Sequence, residues 1–256
     1  MSRNKEIAEI LYKAEANNKP IEQISKIYDG LTIDDAYEIQ LINIDRKVTE
    51  GKIITGKKIG LTSKAMQESL GVDIPDFGIL CDSMEVKDNV VKKGQILQPR
   101  VEGELAFILK EDLKDGATID DIYQATEYVV PALEIVGSRI KDWKVTILDT
   151  ISDNASSGMY LLSDTKINPL KTDLKEVELK LYKNGEFINS GKGSAVLGDP
   201  VNAVLWLANG LSKYGVALNA GDVILSGALS AAIPALPGDK FLVDYGPLGI
   251  LEVCFE

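Results

Sequence analysis

The spacing of apolar residues changes at Gly51, from a helical to a strand-like pattern, and this change constrains the fold more than any single motif. Before it, apolar residues recur at helical spacing over residues 3–17, and a second helical stretch follows Thr32, which suits an N-cap. Beyond it, short apolar runs alternate with Gly, Pro and Asp turns, a pattern typical of strands. We therefore predict an α+β chain with an N-terminal helical segment at residues 1–52 and a β-rich domain at residues 53–256.

The second part contains seven strand-like segments and two helical stretches. The strand-like segments are IITGKKIGL, ELAFIL, YVVPALEIV, VELKLY, DVILSG, FLVDY and GILEVCF. Asn184-Gly185 lies in the middle of LYKNGEFI and suits the type I′ turn of a hairpin. Helices are predicted at 118–126 and over PVNAVLWLANGLSKYG, which Gly215 closes. These helices are too few and too irregularly placed for a doubly wound sheet.

The chain contains no histidine, which narrows its chemistry. Ser-His-Asp triads, Cys-His dyads and histidine-ligated zinc are excluded. Acid–base catalysis in such a chain has to use carboxylates, lysine, tyrosine or water. Cys81 and Cys254 lie far apart and do not indicate a disulfide framework.

The net charge is −11, from 39 acidic and 28 basic residues. No basic run stands out, so we expect no nucleic-acid partner. An acidic body repels anionic substrates, so a carboxylate substrate would need a local positive charge such as a metal or a lysine. No apolar run approaches a membrane span, and the first residues lack a signal-peptide pattern. We expect a cytoplasmic protein without a membrane partner.

Two glutamates share one face of the segment QPRVEGELAFIL. Side chains alternate along a strand, so Glu102 and Glu104 lie on the face of Ala106 and Ile108. Both faces become apolar further along, which predicts a strand covered on both sides. Two carboxylates in such a place need a cation, or one of them must stay protonated. Alternatively, the strand begins at the surface and both glutamates are solvated.

A third glutamate, Glu134, interrupts the apolar strand YVVPALEIV. An unpaired buried carboxylate costs several kcal/mol. One explanation for Glu134 is a salt bridge to Arg139 or Lys141, and the other is a metal site. Oxygen ligands without histidine suit a hard cation such as Mg²⁺ or Mn²⁺. Spacing alone leaves the metal site and the salt bridge balanced.

The segment GKKIGL places two adjacent lysines on a probable strand. Lys57 and Lys58 should point to opposite faces, so that one can point inward between Gly56 and Gly60. A partly buried lysine near a metal has a lowered pKa and can transfer protons. Two solvated lysines are the alternative.

Two further segments carry polar residues that have ordinary explanations. Asp76 follows Pro75 in a turn-like PDFG and can be a plain turn aspartate. The segment SDNASSG at residues 152–158 can bind a carboxylate through small hydroxyl and amide groups, or can simply be a loop.

Together these segments resemble the 2-keto-4-pentenoate hydratase family, which stands with the 4-oxalocrotonate decarboxylases inside the fumarylacetoacetate hydrolase superfamily. The resemblance covers nearly the whole chain in order. The segments that carry it are GKKIGLTSKAMQ, LGVDIPDFG, QPRVEGELAFILKEDL, VVPALEIVGSRIKDWK, DTISDNASSG, GSAVLGDPVNAVLWLAN and the closing PGD.

The resemblance implies an irregular mixed β-roll behind the N-terminal helices, homo-oligomers, and seven site residues in three roles. These are the Mg²⁺ or Mn²⁺ ligands Glu102, Glu104 and Glu134, the proton-transfer residues Lys58 and Asp76, and the substrate-lining residues Asn154 and Ser156.

The activity implied is hydration of a small dienoic acid. The expected reaction adds water to 2-hydroxypenta-2,4-dienoate, or 2-oxopent-4-enoate, and gives 4-hydroxy-2-oxopentanoate in the meta-cleavage catabolism of aromatic compounds. PDFG, AFILKEDL and SRIKDWK resemble the hydratase branch, whereas GALSAAIPALPGD resembles the decarboxylase branch. Two alternatives therefore stand: a 2-oxo-3-hexenedioate decarboxylase of the 4-oxalocrotonate type, and a non-catalytic structural partner of a related enzyme.

Overall fold

The computed structural model describes residues 2–256, which form seven α-helices and twelve strands. The helices are Arg3–Ala16 (α1), Ile24–Ile27 (α2), Ile33–Thr49 (α3), Lys64–Leu70 (α4), Ile119–Ala125 (α5), Ile147–Ser152 (α6) and Pro200–Gly210 (α7). The strands are Ile54–Gly60 (β1), Asp76–Cys81 (β2), Val90–Val91 (β3), Arg100–Leu109 (β4), Thr126–Val136 (β5), Met159–Leu162 (β6), Glu178–Lys183 (β7), Glu186–Lys192 (β8), Val223–Leu225 (β9), Ile233–Pro234 (β10), Lys240–Asp244 (β11) and Ile250–Phe255 (β12).

The two long N-terminal helices form where periodicity and capping predicted them. Thr32 caps α3 by accepting a hydrogen bond from the backbone of Asp35, whose carboxylate bonds back to Thr32. The apolar stripes of the helices pack on each other and on Ile140, which follows β5. The boundary between segments 1–52 and 53–256 stays a prediction. No helix within residues 2–256 is long and apolar enough to span a membrane.

The strands form two sheets of mixed direction. The larger has the order β2-β1-β9-β4-β5-β6, with β10 beside β4, and the smaller has the order β3-β12-β11-β7-β8. Val101, Leu105 and Phe107 of β4 point toward the smaller sheet and join the main apolar core. The alternate residues, including Glu102 and Glu104, therefore lie on the opposite face of the larger sheet. The predicted burial of β4 on both sides is confirmed.

Two local predictions differ from the structure, one helix was not predicted, and one prediction is confirmed. PDFG is not a turn, because Asp76 begins β2, a strand buried along its whole length. The helix over PVNAVLWLANGLSKYG ends at Gly210, and a 3-10 turn at 212–214 completes the stretch before Gly215. Helix α4 was missed because it buries no side chain and so shows no apolar stripe. The hairpin turn at Asn184-Gly185 is confirmed by positive φ at both residues.

Tyr245 links the core to the face that carries the glutamates. It follows β11 and is buried, and its hydroxyl lies 2.7 Å from the carbonyl oxygen of Ala132 and 3.0 Å from that of Glu104. The backbone at Gly103 allows this approach, because a Cβ there would lie 2.9 Å from the Tyr245 oxygen. One hydroxyl thus fixes β4 and β5 against each other beneath the site.

Replacing Tyr245 with Phe should lower the free energy of unfolding by about 1 kcal/mol, since it removes a buried hydrogen bond between the hydroxyl and the strand carbonyl groups. Urea denaturation would measure the change. Tyr182→Phe is the matched control, because the Tyr182 ring packs against Phe187 and its hydroxyl makes no hydrogen bond among residues 2–256, so its loss should change stability by less than about 0.5 kcal/mol. Equal stability of the two variants would contradict the role given to Tyr245.

Candidate active site

Three glutamates meet on the face of the larger sheet that points away from the main apolar core. The β4–β5 register places Glu102 directly opposite Glu134, and Glu104 lies two residues along the same face. One carboxylate oxygen of each residue lies within 4.8 Å of the other two. Glu104 and Glu134 are 1% exposed, whereas Glu102 is partly open to solvent. The structure therefore brings together the three residues that the sequence singled out.

The protein itself gives these carboxylates few partners. Glu104 accepts a hydrogen bond from the backbone nitrogen of Gly227 at 2.9 Å through Oε2, but its Oε1 has no partner among residues 2–256. Neither oxygen of Glu134 accepts an aligned hydrogen bond in the same part of the chain. The explanation of solvated glutamates is wrong for Glu104.

The salt-bridge explanation for Glu134 is also wrong. Arg139 pairs with Asp153, and Lys141 Nζ lies 3.5 Å from Glu22 on the surface. The cation that approaches Glu134 is Lys58, with 3.3 Å between Nζ and Oε2. That single lysine faces three clustered carboxylates.

Burial and mutual repulsion make the charged form of the cluster unfavourable. Burial, together with the negative charge of Glu134, raises the pKa of Glu102 to about 8. Burial and both neighbouring carboxylates hold the pKa of Glu104 well above its usual range, and burial raises the pKa of Glu134. A cation among these oxygens would remove the repulsion, and the all-oxygen donor set suits a hard divalent ion.

Lys58 reaches the cluster from a distant strand. Its Nζ donates a hydrogen bond to the carbonyl oxygen of Ala155 at 3.0 Å. Strands β9 and β4 separate β1 from β5, a span of roughly 14 Å in a flat sheet. Contact between Lys58 and Glu134 therefore requires the sheet to curl around the site. Lys57 points to the other face, as predicted, and its Nζ lies 2.6 Å from Asp222 Oδ2.

The lowered pKa expected for Lys58 beside a metal stays a prediction, because the protein's own charges by themselves raise this pKa. Burial disfavours the charged ammonium, but the carboxylates of Glu134 and Asp76 outweigh burial and raise the pKa. The expectation assumed that a metal charge would dominate the surroundings of Lys58.

Asp76 occupies a strand rather than a surface turn. It pairs with Gly60 across β1 and β2 and is 2% exposed, so the explanation of a plain turn residue is wrong. Its Oδ1 has no hydrogen-bond partner among residues 2–256. Burial raises its pKa, although the Lys58 charge opposes the rise. A Cβ at position 60 would overlap Asp76 Oδ1 and lie 3.3 Å from Lys58 Nζ, so Gly60 leaves space between the two groups.

The loop at 154–156 follows α6 and is held in a rare conformation. Asn154, Ala155 and Ser156 have φ of 54°, 50° and 56°, the left-handed region that costs non-glycine residues energy. The Asn154 amide exchanges hydrogen bonds of 2.8 and 2.9 Å with the backbone of Ile79 in β2. Asn154 thereby fixes the loop, while the buried Ser156 hydroxyl has no partner among residues 2–256.

Sequence reasoning missed the backbone groups of the site. The carbonyl of Ala155 and the N–H of Gly227 contact Lys58 and Glu104, yet a backbone group leaves no trace in residue type. Gly227 has φ of 109°, a backbone conformation that would be strained for a residue with a side chain. The presence of glycine at position 227 is therefore the one signal that the sequence offers for this contact. Asn154 and Ser156 remain predictions as substrate-lining residues.

Comparison with known proteins agrees with this geometry. Residues 72–256 match the sequence profile described as fumarylacetoacetate (FAA) hydrolase C-terminal. A 2-keto-4-pentenoate hydratase from Paraburkholderia xenovorans (strain LB400) is 45% identical, with 99% of this chain and 95% of the relative covered. A 2-hydroxyhexa-2,4-dienoate hydratase from Comamonas testosteroni is 43% identical over 96% of this chain and 94% of its own.

A solved structure matches almost completely. The 4-oxalocrotonate decarboxylase from Pseudomonas putida G7, complexed with magnesium and adipate, superposes with a TM-score of 0.95 at 33% identity. The match covers 100% of this chain and 99% of the decarboxylase. The chain therefore belongs to the fumarylacetoacetate hydrolase family, in the group of 2-keto-4-pentenoate hydratases and 4-oxalocrotonate decarboxylases. The predicted α+β fold, with its irregular β-roll behind N-terminal helices, is confirmed.

Gly60→Ala should lower turnover of the dienoate substrate by roughly 100-fold, because the added methyl group displaces Asp76 and Lys58 by a fraction of an ångström or more. Steady-state kinetics and circular dichroism would show an inactive but folded protein. Gly210→Ala is the control, since no atom lies within 4 Å of the added Cβ at the end of α7. Wild-type turnover in Gly60→Ala would mean that the space beside Asp76 is not used.

Proposed function

We propose that the chain is a metal-dependent hydro-lyase that adds water to 2-hydroxypenta-2,4-dienoate and forms 4-hydroxy-2-oxopentanoate. The observation that carries the proposal is the buried triglutamate cluster beside Lys58 and Asp76. Hydratases of short dienoic acids at 43–45% identity over nearly the full chain support the same activity.

The three glutamates would hold the cation. Their unpartnered buried oxygens fit a divalent ion, and the absence of nitrogen and sulfur donors favours Mg²⁺ or Mn²⁺ over Zn²⁺. The magnesium complex of the related decarboxylase is in keeping with this choice. A bound ion would polarise the 2-oxygen of the substrate and stabilise the negative charge that develops there.

Lys58 is placed to handle protons on the substrate. Its ammonium donates one hydrogen bond, to the Ala155 carbonyl oxygen, and lies 3.3 Å from Glu134 Oε2, which leaves donor capacity for a bound molecule. Hydration requires protons delivered to C5 and later to C3. Neutralising the glutamates with a cation would lower the pKa of Lys58 from its raised value, so that proton transfer near neutral pH becomes easier.

Asp76 is placed to act on water. Its unpartnered Oδ1 lies beside Lys58, and burial raises its pKa toward the range useful for acid–base work. Water must be positioned at C4 and must lose a proton as the bond forms. We assign Lys58 and Asp76 to these transfers jointly. Ser156 and Asn154 line the substrate site, where Ser156 donates or accepts a hydrogen bond to the substrate and Asn154 also holds the loop.

The decarboxylase alternative has one structural observation in its favour, beside the resemblance of GALSAAIPALPGD. The overall likeness to the 4-oxalocrotonate decarboxylase is close, with a TM-score of 0.95. The hydratases are nearer in sequence, at 45% against 33% identity, and hydration is therefore the better-supported activity. A chain that binds no divalent metal would favour the non-catalytic alternative.

One experiment separates these activities. The purified chain is given 2-hydroxypenta-2,4-dienoate or 2-oxohex-3-enedioate with Mg²⁺ or Mn²⁺, and products are identified by NMR and CO₂ release. Water addition to the first compound, lost with EDTA and restored by either metal, is the expected outcome. CO₂ release from the second without hydration of the first would favour the decarboxylase.

A homo-oligomer in the cytoplasm completes the proposal. Light scattering of the purified chain would give the number of subunits, which we expect to exceed one.

Glu104→Gln should lower divalent-metal affinity and activity together, because the amide keeps the shape but loses the charge that a hard cation needs. The loss of affinity should reach at least roughly 10–100-fold, the range seen when residues that merely support metal ligands are changed. Calorimetric titration with Mn²⁺ measures it. Glu127→Gln, on the exposed part of β5, is the control. Unchanged Mn²⁺ affinity in Glu104→Gln would refute the triglutamate site.

Asp76→Asn should depress hydration by roughly 10²–10⁴-fold, the usual range for a lost general acid or base, while metal binding survives. The turnover number is measured alongside exchange of solvent deuterium into C5. Lost hydration with retained exchange places Asp76 on the attacking water, and loss of both places it at the earlier proton transfer. Asp73→Asn is the exposed control nearby. An unchanged turnover number would remove Asp76 from the mechanism.

A further inference from the structure

Arg100 is an arginine without an ionic partner on the face that holds the glutamates. Alternation along β4 puts Arg100, Glu102 and Glu104 on the same side of the sheet. The Arg100 Nε is buried and has no hydrogen-bond acceptor within residues 2–256, and no carboxylate of that range forms an ion pair with the guanidinium. A buried donor left without an acceptor is costly, so the position has a reason other than stability.

The guanidinium is held by an aromatic ring instead of a carboxylate. Its central carbon lies 4.4 Å from the centroid of the Trp143 ring. Stacking of this kind uses the face of the guanidinium and leaves its N–H edge free for an anion. The ring is fixed in turn, since Trp143 Nε1 donates a hydrogen bond to the Gln98 carbonyl oxygen at 3.0 Å.

Hydrogen bonds of the Gln98 side chain, together with a strained backbone, hold the Trp143 ring in place beneath Arg100. The Gln98 side chain accepts a hydrogen bond from Asp142 N at 2.7 Å and donates two to carbonyl oxygens of residues 138 and 140, at 2.8 and 2.7 Å. Gln98, Asp142 and Trp143 have φ of 50°, 60° and 55°. Left-handed non-glycine residues persist only where the surroundings enforce them, often where a functional group is pre-organised.

The order of charges along the face sets a direction for the substrate. In the sheet register Lys58 lies level with Leu225 and Ala106, whereas Arg100 lies six residues away along β4, beyond the glutamates. In the proposed function the reacting carbons face Lys58 and Asp76, and the carboxylate and 2-oxygen face the glutamates. The carboxylate end of the substrate therefore points toward Arg100.

We propose that Arg100, stacked on Trp143, is a substrate-binding residue that receives the C1 carboxylate of the 2-oxo or 2-hydroxy acid and orients it on the glutamates. This inference rests on the proposed function. The chain carries a net charge of −11, which repels an anionic substrate, and the positive charge of Lys58 is already opposed by Glu134. A planar guanidinium edge matches a carboxylate in shape and charge.

Oxalate, which reproduces the carboxylate and 2-oxygen end of the substrate, is the probe. Calorimetric titration of the Mg²⁺-loaded enzyme should show a dissociation constant for oxalate raised by roughly 10–100-fold in Arg100→Gln, the loss typical of a charge-assisted hydrogen bond. KM for the dienoate should rise by a similar factor with a much smaller change in the turnover number. Arg100→Lys should recover part of the oxalate affinity, since it keeps the charge but not the planar edge.

Arg46→Gln is the matched control. That guanidinium also lies over an aromatic ring, 4.1 Å from the centroid of Tyr12, but it belongs to α3 and pairs with Glu9. Its removal should leave oxalate binding and KM unchanged, and thermal melting of both variants separates loss of folding from loss of binding.

Three results would overturn the proposal: wild-type oxalate affinity in Arg100→Gln, loss of Mg²⁺ affinity equal to the loss of oxalate affinity, or a changed subunit number as the sole effect. Failure of the proposed function would appear differently, as absence of hydration by the wild-type enzyme. The oxalate titrations of wild type and Arg100→Gln would still decide the role of Arg100 in that case.

Discussion

The repulsion among three buried carboxylates is the constraint on which the site depends. Glu102 and Glu134 stand opposite each other across two adjacent strands, where like charges destabilise a sheet, and Glu104 adds a third charge to the same face. The fold keeps this arrangement because β4 and β5 are fixed from the other side by core packing and by the Tyr245 hydroxyl. The energy that opposes ionisation of the glutamates is the energy that a bound cation would relieve.

The curl of the larger sheet brings positive charge and a further carboxylate to the glutamates. Lys58 and Asp76 come from strands at one end of the sheet, and they can approach the glutamates only because the face is concave. Small residues make the concavity possible. Gly60 leaves space beside Asp76, and at Gly78 a Cβ would collide with the Asn154 carbonyl and the Ser157 hydroxyl. Residues without side chains thus decide how closely the charged groups approach.

Much of the fold could be predicted from the sequence, because caps and periodicity are local signals. Thr32 and the apolar spacing located α3, and a charge in an apolar strand singled out Glu134. Strand β2 was not predicted, because DFGILC is buried on both faces and begins directly after a proline. It therefore shows neither alternation nor a clear boundary. The partner of Lys57, and the backbone contacts of Ala155 and Gly227, depend on residues distant in sequence.

A chain without histidine has to obtain proton transfer near neutral pH from groups whose ordinary pKa values lie far from it. Burial raises the pKa of Asp76, and the neighbouring carboxylates raise the pKa of Lys58. The two pKa values therefore stay far apart while the glutamates are charged. A positive charge at the glutamates would lower both pKa values, and the effect on Lys58 brings it toward neutrality. In the proposed function, metal binding and proton transfer would be coupled through Glu134, which contacts Lys58 directly. One buried glutamate would then serve both as a ligand and as the partner of the lysine.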